Sequence, residues 1–275
     1  RLFFVYRDRI DAVTPEDVQR VAQQYTRAEN RTIGMFIPTD EPSYVAIPET
    51  GNIAAMVEGY QGREAIAQGE RFESTLENIE KRTSLTTLKT GVQAALLPKK
   101  SRGEQVVLNL SLNFGNQESL KGLDNAASYI GPLMLRGTKD KTHQQIQDEL
   151  DGLGATLSFS SSAGALDISI LAKRKTLPQV LALAKEIIES PSFPEEELQV
   201  MLQQRITSLE ASKSEPQTLA MNLLARKMTP YPADDIRATL PVEQQIERLK
   251  SVTLEDVVKL YEQQIGNQSG ELVAV

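Results

Sequence analysis

The segment from Val106 to Gly115 alternates apolar and polar side chains, and no other pattern in the chain constrains the fold more. Its apolar positions are Leu108, Leu110, Leu112 and Phe114. Successive side chains of a β-strand point to opposite faces of the sheet, so this alternation predicts a strand with one face in the core. We expect the other face to be solvated or partly covered.

Further segments predict strands that pair with their neighbours. Residues 84–97 predict two short strands joined by a turn at Lys89 to Gly91. Residues 155–162 and 165–173 predict an antiparallel pair, because apolar side chains alternate with polar ones there as well. The sheet is therefore expected to be mainly antiparallel.

The rest of this region is helical in character. Residues 121–135 predict an apolar helix, and Thr142 is placed to cap the next one. After the strand pair the pattern stays helical up to Leu260, with breaks at Pro191 and Pro194. Strands, two helices, a strand pair and then several helices are typical of an α+β fold, in which helices pack on one face of an antiparallel sheet.

Two segments at an offset of 239 residues resemble each other, one beginning at Ala12 and the other at Ser251. Each combines a Thr N-cap, acids in the first turn, an amphipathic helix, a turn containing Asn and an apolar strand. The recurring residues are Val13, Thr14, Glu16, Asp17, Val18 and Gln24, which return as Val252, Thr253, Glu255, Asp256, Val257 and Gln263. A duplicated unit explains this pattern, and the alternative is coincidence between two well-capped helices.

Composition excludes several classes of function. Thirty basic and 37 acidic residues give a net charge of −7, and no basic run is interleaved with aromatics, so nucleic acid is not an expected partner. The absence of cysteine excludes disulfides, Cys-type zinc sites and thiol catalysis, and fits any compartment. No apolar run reaches the roughly 18 to 20 residues of a membrane span. The first residues, RLFFVYRDRI, are too short and too charged for a signal peptide, and the chain has the character of a fragment.

Few side chains in the sequence suggest a catalytic site of its own. His143 is the one histidine, so a single chain cannot form a His pair or a His-based triad, and we expect a surface residue. Ser160 to Ser162 lack a Gly-x-Ser-x-Gly context. The acids Glu195 to Glu197 follow Pro194, where the first turn of a helix favours negative charge. The loop from Pro98 to Gly103 carries Lys99, Lys100 and Arg102.

Several motifs together resemble the insulinase/pitrilysin family of zinc peptidases through much of residues 84–275. The most specific are the helix that ends in Arg136-Gly137-Thr138, the Leu-Gly-Ala-Thr-Leu turn at 153–157, and the Pro-Ser-Phe-Pro-Glu segment at 191–195. Active members carry an inverted zinc motif, His-x-x-Glu-His, on the helix before the Gly-Thr turn. This resemblance implies the peptidase-half fold, an antiparallel sheet with helices on one face.

The resemblance also implies that the zinc site has been lost. Counting back from Thr138, the two His positions and the Glu position fall on Ser128, Pro132 and Gly131, and none of these can serve. The third ligand of active members falls near Ser208, although Glu210 lies close to that register. On this basis the chain has no catalytic, metal-binding or cofactor-binding residue, and the zinc is expected in a partner half.

By the same resemblance, residues 1–38 end a preceding related domain, 39–71 form a linker, and 72–275 form a zinc-less peptidase-like domain. The implied function is the non-catalytic half of a zinc metalloendopeptidase, which forms a wall of a chamber for unfolded peptides. Its implied partner is the catalytic half, in the same chain or in another subunit, and the family suggests the periplasm. The substrate-holding Arg and Tyr of active members belong beyond Val275. The alternatives are a structural or assembly protein without a peptidase partner and an unrelated α+β binding domain.

Overall fold

In this computed structural model the chain forms two compact units, Arg1–Ala65 and Ile66–Val275. The structure describes residues 2–35, 38, 51–52, 55, 58, 67–229, 231–266 and 269–275. Most of the predicted linker, residues 39–71, lies outside the described residues. In the part of the chain that the structure describes, no helix has the length and apolar character needed to cross a membrane.

The first unit contains the first copy of the repeated helix. Its helices are α1 (Leu2–Asp11) and α2 (Pro15–Tyr25), and a short 3₁₀ turn follows at Ala28–Asn30. Thr14 caps α2 as predicted: the backbone N–H of Asp17 donates to the Thr14 hydroxyl (3.2 Å), and the Thr14 N–H donates to the Asp17 carboxylate (3.3 Å). No described side chain of α2 is buried.

The strand predicted after this helix is wrong over residues 31–35, which form no strand. Strand conformation needs a neighbouring strand to receive its backbone hydrogen bonds, and the described part of this unit contains none. Ile33 and Met35 are exposed as a result. Residues 36 and 37, the end of the predicted strand, lie outside the described residues.

The second unit is built on a six-stranded sheet in the order β1-β2-β6-β3-β5-β4. The strands are β1 (Ser84–Thr87), β2 (Gln93–Leu96), β3 (Gln105–Asn113), β4 (Thr156–Ser162), β5 (Ala165–Lys173) and β6 (Gly270–Ala274). All neighbouring pairs are antiparallel except β2 with β6, which is parallel. The predicted mainly antiparallel sheet is confirmed.

Helices cover one face of this sheet. The helices of the second unit are α3 (Leu76–Arg82), α4 (Asp124–Met134), α5 (His143–Leu153), α6 (Leu177–Glu189), α7 (Glu195–Ser212), α8 (Pro216–Met228), α9 (Val242–Lys250) and α10 (Leu254–Gln264). Of these, α4, α5 and α6 make the main contacts with β4 and β5. Along β5 the side chains of Leu166, Ile168 and Ile170 are buried in the helix-covered core, whereas Asp167 and Ser169 are exposed on the other face. The predicted α+β fold is confirmed.

The second copy of the repeat is packed into this core. Thr253 caps α10 with the same box that Thr14 forms, since the Asp256 N–H donates to the Thr253 hydroxyl (3.2 Å). Helix α10 packs against α4, and β6 enters the sheet between β2 and β3. Val257 is fully buried here, whereas its counterpart Val18 in α2 is 60% exposed.

Candidate functional site

Helix α4 carries the three positions at which the resemblance places the zinc motif. It begins at Asp124 and packs its buried side chains, among them Ile130, Leu133 and Met134, against β4 and α10. Apolar residues spaced three and four apart place one stripe of this helix in the core. Core packing of these apolar side chains therefore fixes the position of the helix.

Ser128 directs its hydroxyl at its own helix. The hydroxyl donates to the carbonyl oxygen of Asn125 (2.7 Å) and lies 3.3 Å from that of Asp124. Serine in a helix commonly bonds to a carbonyl three or four residues earlier. A serine hydroxyl is also a poor zinc ligand beside the His, Cys and carboxylate groups that zinc prefers.

Gly131 stands where α4 and β4 come into direct contact. A Cβ atom at this position would lie 2.8 Å from the carbonyl carbon of Ser160 and 3.1 Å from its Cα and nitrogen. In addition, the Gly131 N–H donates to the hydroxyl of Ser161 (2.9 Å). The space that a side chain at 131 would need is thus filled by strand backbone, which side-chain movement cannot clear.

Pro132 lies inside α4, and the helix continues for two residues beyond it to Met134. Proline has no N–H, so it cannot donate to the carbonyl four residues earlier, which belongs to Ser128. It supplies no metal ligand either. Core packing on both sides of Pro132 keeps this segment helical despite the missing hydrogen bond.

The position near Ser208, where the third ligand is expected, lies on α7. Ser208 is exposed, while its neighbour Leu209 is buried in the core. Glu210, the alternative register, forms an ion pair with Lys213 (2.7 Å). Helices α4 and α7 are in contact. Burial raises the pKa of the Tyr129 hydroxyl on α4, and the positive charge of Arg205 on α7 opposes this rise.

The residues at these positions do not fit a zinc ion. Zinc takes imidazole, thiolate and carboxylate ligands in peptidases, and the four positions supply two hydroxyls, a glycine and a proline. Among all the described residues, no group of three or more His, Cys, Asp or Glu side chains is arranged to hold a metal ion. The described residues at the candidate site therefore do not form a set of metal ligands.

The Arg136-Gly137-Thr138 turn after α4 is held by partners distant in sequence. The buried Thr138 hydroxyl donates to the Glu186 carboxylate (2.8 Å), and Lys141 donates to the other oxygen of that carboxylate (2.7 Å). The hydrogen bond from Lys141 lowers the pKa of Glu186, and Glu186 in turn raises the pKa of Lys141. These contacts attach the turn to α6 and serve its structure.

His143 belongs to the same turn region and is half-buried. Its Nδ1 lies 2.8 Å from the carbonyl oxygen of Leu135, and its Nε2 lies 3.3 Å from the Arg136 guanidinium. A carbonyl accepts and a guanidinium donates, so Nδ1 carries the proton and Nε2 accepts. Both ring nitrogens are therefore occupied by structural contacts, and the predicted solvent-facing histidine is more enclosed than its sequence context indicates.

Asp235 forms a network that sequence reasoning did not find. Its buried side chain accepts from the Arg237 guanidinium (2.7 and 2.9 Å) and from the Gln117 amide (2.7 Å), and Arg237 stacks over Tyr231. Hydrogen bonds from Arg237 lower the pKa of Asp235 to about 2. Arg237 lies only two residues from Asp235 in the sequence, but Gln117 lies in the loop after β3. No local sequence pattern therefore reveals the network.

Comparison with known proteins agrees with this architecture. The family described as Insulinase (Peptidase family M16) matches residues 95–235. The alpha subunit of the mitochondrial-processing peptidase from Solanum tuberosum is 22% identical over 179 residues, covering 64% of this chain and 34% of that protein. The mitochondrial-processing peptidase subunit alpha-1 from Dictyostelium discoideum is 24% identical over 131 residues, covering 48% of this chain and 20% of that protein. The chain thus spans about a third or less of these curated relatives.

Solved structures share the fold at low sequence identity. The peptidase M16 inactive domain from Pseudomonas fluorescens has a TM-score of 0.59 and 16% identity, over 70% of this chain and 46% of that one. A protease from Helicobacter pylori has a TM-score of 0.57 and 17% identity over the same shares. Because the family match covers more than half of the residues, the chain belongs to the insulinase family, peptidase family M16.

Proposed function

We propose that this chain is part of the non-catalytic half of a zinc metalloendopeptidase of family M16, and that it forms a wall of the peptide chamber without a zinc site of its own. The close approach of the Ser160 backbone to Gly131 carries this proposal, because it leaves no room for a side chain at the position that the resemblance assigns to the catalytic carboxylate. Hydrolysis by zinc requires metal ligands and a group that activates water. The catalytic half, in the same chain or in a partner subunit, supplies both.

An unfolded peptide can bind such a wall through its backbone. Strand β4 lies at the edge of the sheet and pairs only with β5 among the described strands. Small exposed side chains, Ser158, Ser160 and Ser162, follow each other along one face of β4. A substrate strand added at this edge would form main-chain hydrogen bonds and would read little sequence, which suits a chamber that accepts many unfolded peptides.

The same proposal assigns residues 1–38 to the end of a preceding related domain, 39–71 to a linker and 72–275 to the zinc-less domain. The matching capping boxes at Thr14 and Thr253 support a common origin of the two helices. A helix of a core-forming unit that lacks its packing partners among the described residues would expose its apolar face, and Val18 in α2 is 60% exposed where its counterpart Val257 is buried. Location in the periplasm stays a prediction from the family.

A calorimetric titration with zinc tests the non-catalytic assignment. The chain, stripped of metal with EDTA and kept at neutral pH, is expected to give no stoichiometric heat of binding. Zinc bound at one ion per chain with submicromolar affinity would contradict the assignment of Ser128, Gly131 and Pro132 to the ligand positions. A synthetic peptide carrying the His-x-x-Glu-His motif serves as the positive control for the titration.

Peptide binding tests the chamber wall. An unstructured fluorescent peptide is expected to bind, to keep its affinity when its sequence is scrambled, and to lose it when alternate amides are N-methylated, because N-methyl groups block strand pairing. Equal binding of the methylated peptide would contradict edge pairing by β4. If no unfolded peptide binds, the result favours the alternative, a structural or assembly protein with a degenerate peptidase fold.

A further inference from the structure

One end of the sheet carries a dense group of cations that the proposed function does not use. We call it the basic end; its residues are Lys99, Lys100, Arg102, Lys173, Arg174 and Lys175. The first three belong to the loop before β3, and the others follow one another at the end of β5. The pairing of Gln105 with Lys173, and a hydrogen bond from the Arg174 N–H to the Glu104 carbonyl (2.8 Å), bring the two groups together.

These cations are only partly compensated: hydrogen bonds from Arg82 and from the Lys100 backbone, and in smaller part the charge of Lys100, lower the pKa of Glu70. None of the six forms an ion pair with any residue in the described part of the chain, and Glu104 is the one acid within 99–104 and 173–175. All but Lys99 are exposed, and the Lys99 ammonium lies over the ring of Phe72 at 4.9 Å. Neighbouring like charges repel each other, so this surface is more favourable with an anion bound to it than without one.

The chain itself shows how an extended segment with one acid, Glu70, binds beside these cations. Residues 67–70 run along the loop, where the Glu70 N–H donates to the Lys100 carbonyl (2.8 Å) and the Gly103 N–H donates to the Ala67 carbonyl (2.9 Å). The Glu70 carboxylate accepts from the Lys100 N–H (3.0 Å) and from the Arg82 guanidinium (2.8 and 3.1 Å). Backbone pairing and carboxylate binding thus act together at this loop, with the Lys100 backbone and Arg82 holding the Glu70 carboxylate and the six cationic side chains of the basic end left unpaired among the described residues.

The net charge of the chain favours a short acidic segment over an extended anionic surface as the partner of the basic end. A membrane surface or a nucleic acid duplex extends over many Debye lengths and is repelled by the net charge of −7. A short acidic segment responds mainly to charges within about 10 Å, where the basic end dominates. Residues 67–70 show that an extended polypeptide fits along this loop, which favours a polypeptide partner over a lipid headgroup.

We propose that the basic end is a docking surface for an extended acidic segment of another polypeptide. Carboxylates of that segment bind the cations of the loop at 99–102 and of the turn at 173–175, beside the position that Glu70 already occupies. This interaction is separate from the candidate site on α4 and does not depend on the proposed peptide chamber.

The test uses the full chain and a short fluorescent peptide of alternating Glu and Ser, followed by anisotropy at low and physiological salt. We expect binding that weakens with salt, and no binding of the peptide in which Gln replaces Glu. Reversal of three charges, Lys173→Glu, Arg174→Glu and Lys175→Glu, is expected to weaken binding about tenfold or more, because each exposed ion pair contributes a modest favourable amount.

A control with the same net charge separates a local site from general attraction. Lys185→Glu, Lys213→Glu and Lys250→Glu reverse three cations away from the basic end. Each already pairs with an acid three or four residues away, Glu189, Glu210 and Glu247 respectively. This variant is expected to keep most of the affinity, with circular dichroism confirming that both variants fold. Equal losses in the two variants, or no binding by the unmodified chain, would overturn the proposal. Tighter binding of phosphatidylserine vesicles or duplex DNA than of the acidic peptide would overturn it as well.

Discussion

At the scale of the residue, Gly131 is a greater obstacle to a metal site on α4 than Ser128 or Pro132 is. A serine or proline can be exchanged for a ligand in an open pocket, whereas the missing side chain of Gly131 is replaced by the backbone of Ser160. The resemblance to the family assigned all three positions from the sequence, and this assignment stays a prediction. The contact could not be predicted in this way, because β4 begins 25 residues after Gly131 and its approach depends on the packed sheet.

We expect Gly131→Ala to lower the free energy of unfolding by about 1 to 3 kcal/mol, the usual cost of overpacking a core. Urea denaturation monitored by circular dichroism measures this free energy of unfolding. The control is Gly152→Ala in α5, where a Cβ meets no atom within 4 Å. There the change is expected to stabilise the protein by roughly 0.5 to 1 kcal/mol, because alanine favours a helix. Similar effects at both positions would contradict the close contact.

The Asp235 network predicts a specific pH dependence. The pKa of Asp235 is lowered from 3.8 to about 2 in the folded chain, so its stabilising effect is complete above pH 3.8 and is lost as the pH falls towards 2. Asp235→Asn is expected to unfold more easily near neutral pH and to lose this part of the acid dependence. Urea midpoints measured across that range test the prediction.

Asp234→Asn is the matched control for this change. Asp234 pairs with Lys121, and its side chain is 58% exposed, compared with 6% for Asp235. Exposed ion pairs contribute little to stability, so the control is expected to change the midpoint less. If both variants follow the same pH curve, the buried network does not contribute as described.

At the scale of the element, local signals located most helices and strands of the second unit. Alternation predicted β3, β4 and β5, and the Thr142 cap predicted the start of α5. The parallel pairing of β2 with β6 joins segments far apart in sequence, so no local signal indicates it. The failure at residues 31–35 has the same origin, because the same helix-turn pattern leads to a strand only where partner strands exist.

The repeated cap allows the two copies to be compared directly. Thr253→Ala removes the hydroxyl that accepts from the Asp256 N–H, and we expect a loss of about 1 kcal/mol in the unfolding free energy of the second unit. Thr14→Ala makes the same change in α2, which belongs to the first unit. It is expected to leave the main unfolding transition unchanged. A common shift for both variants, seen by thermal and urea denaturation, would speak against separate units.

At the scale of the whole molecule, the second unit contains a core of its own. Every buried apolar side chain of the main cluster comes from residues 112–260. We therefore expect residues 66–275, produced alone, to fold and to unfold in one cooperative transition with a midpoint close to that of the full chain. Calorimetry of the two proteins makes the comparison. A fragment with no cooperative transition would show that the core requires the first 65 residues.

The contact at Gly131 also bears on the history open to this chain. Any route that places a carboxylate at residue 131 must add a Cβ against the backbone of Ser160, and this overpacking cost arises whichever of the three positions changes first. Substitutions at residues 128 and 132 do not remove this cost, because the obstacle at residue 131 is strand backbone. Close packing between helix α4 and strand β4 thus keeps residue 131 without a side chain unless the backbone of one element moves.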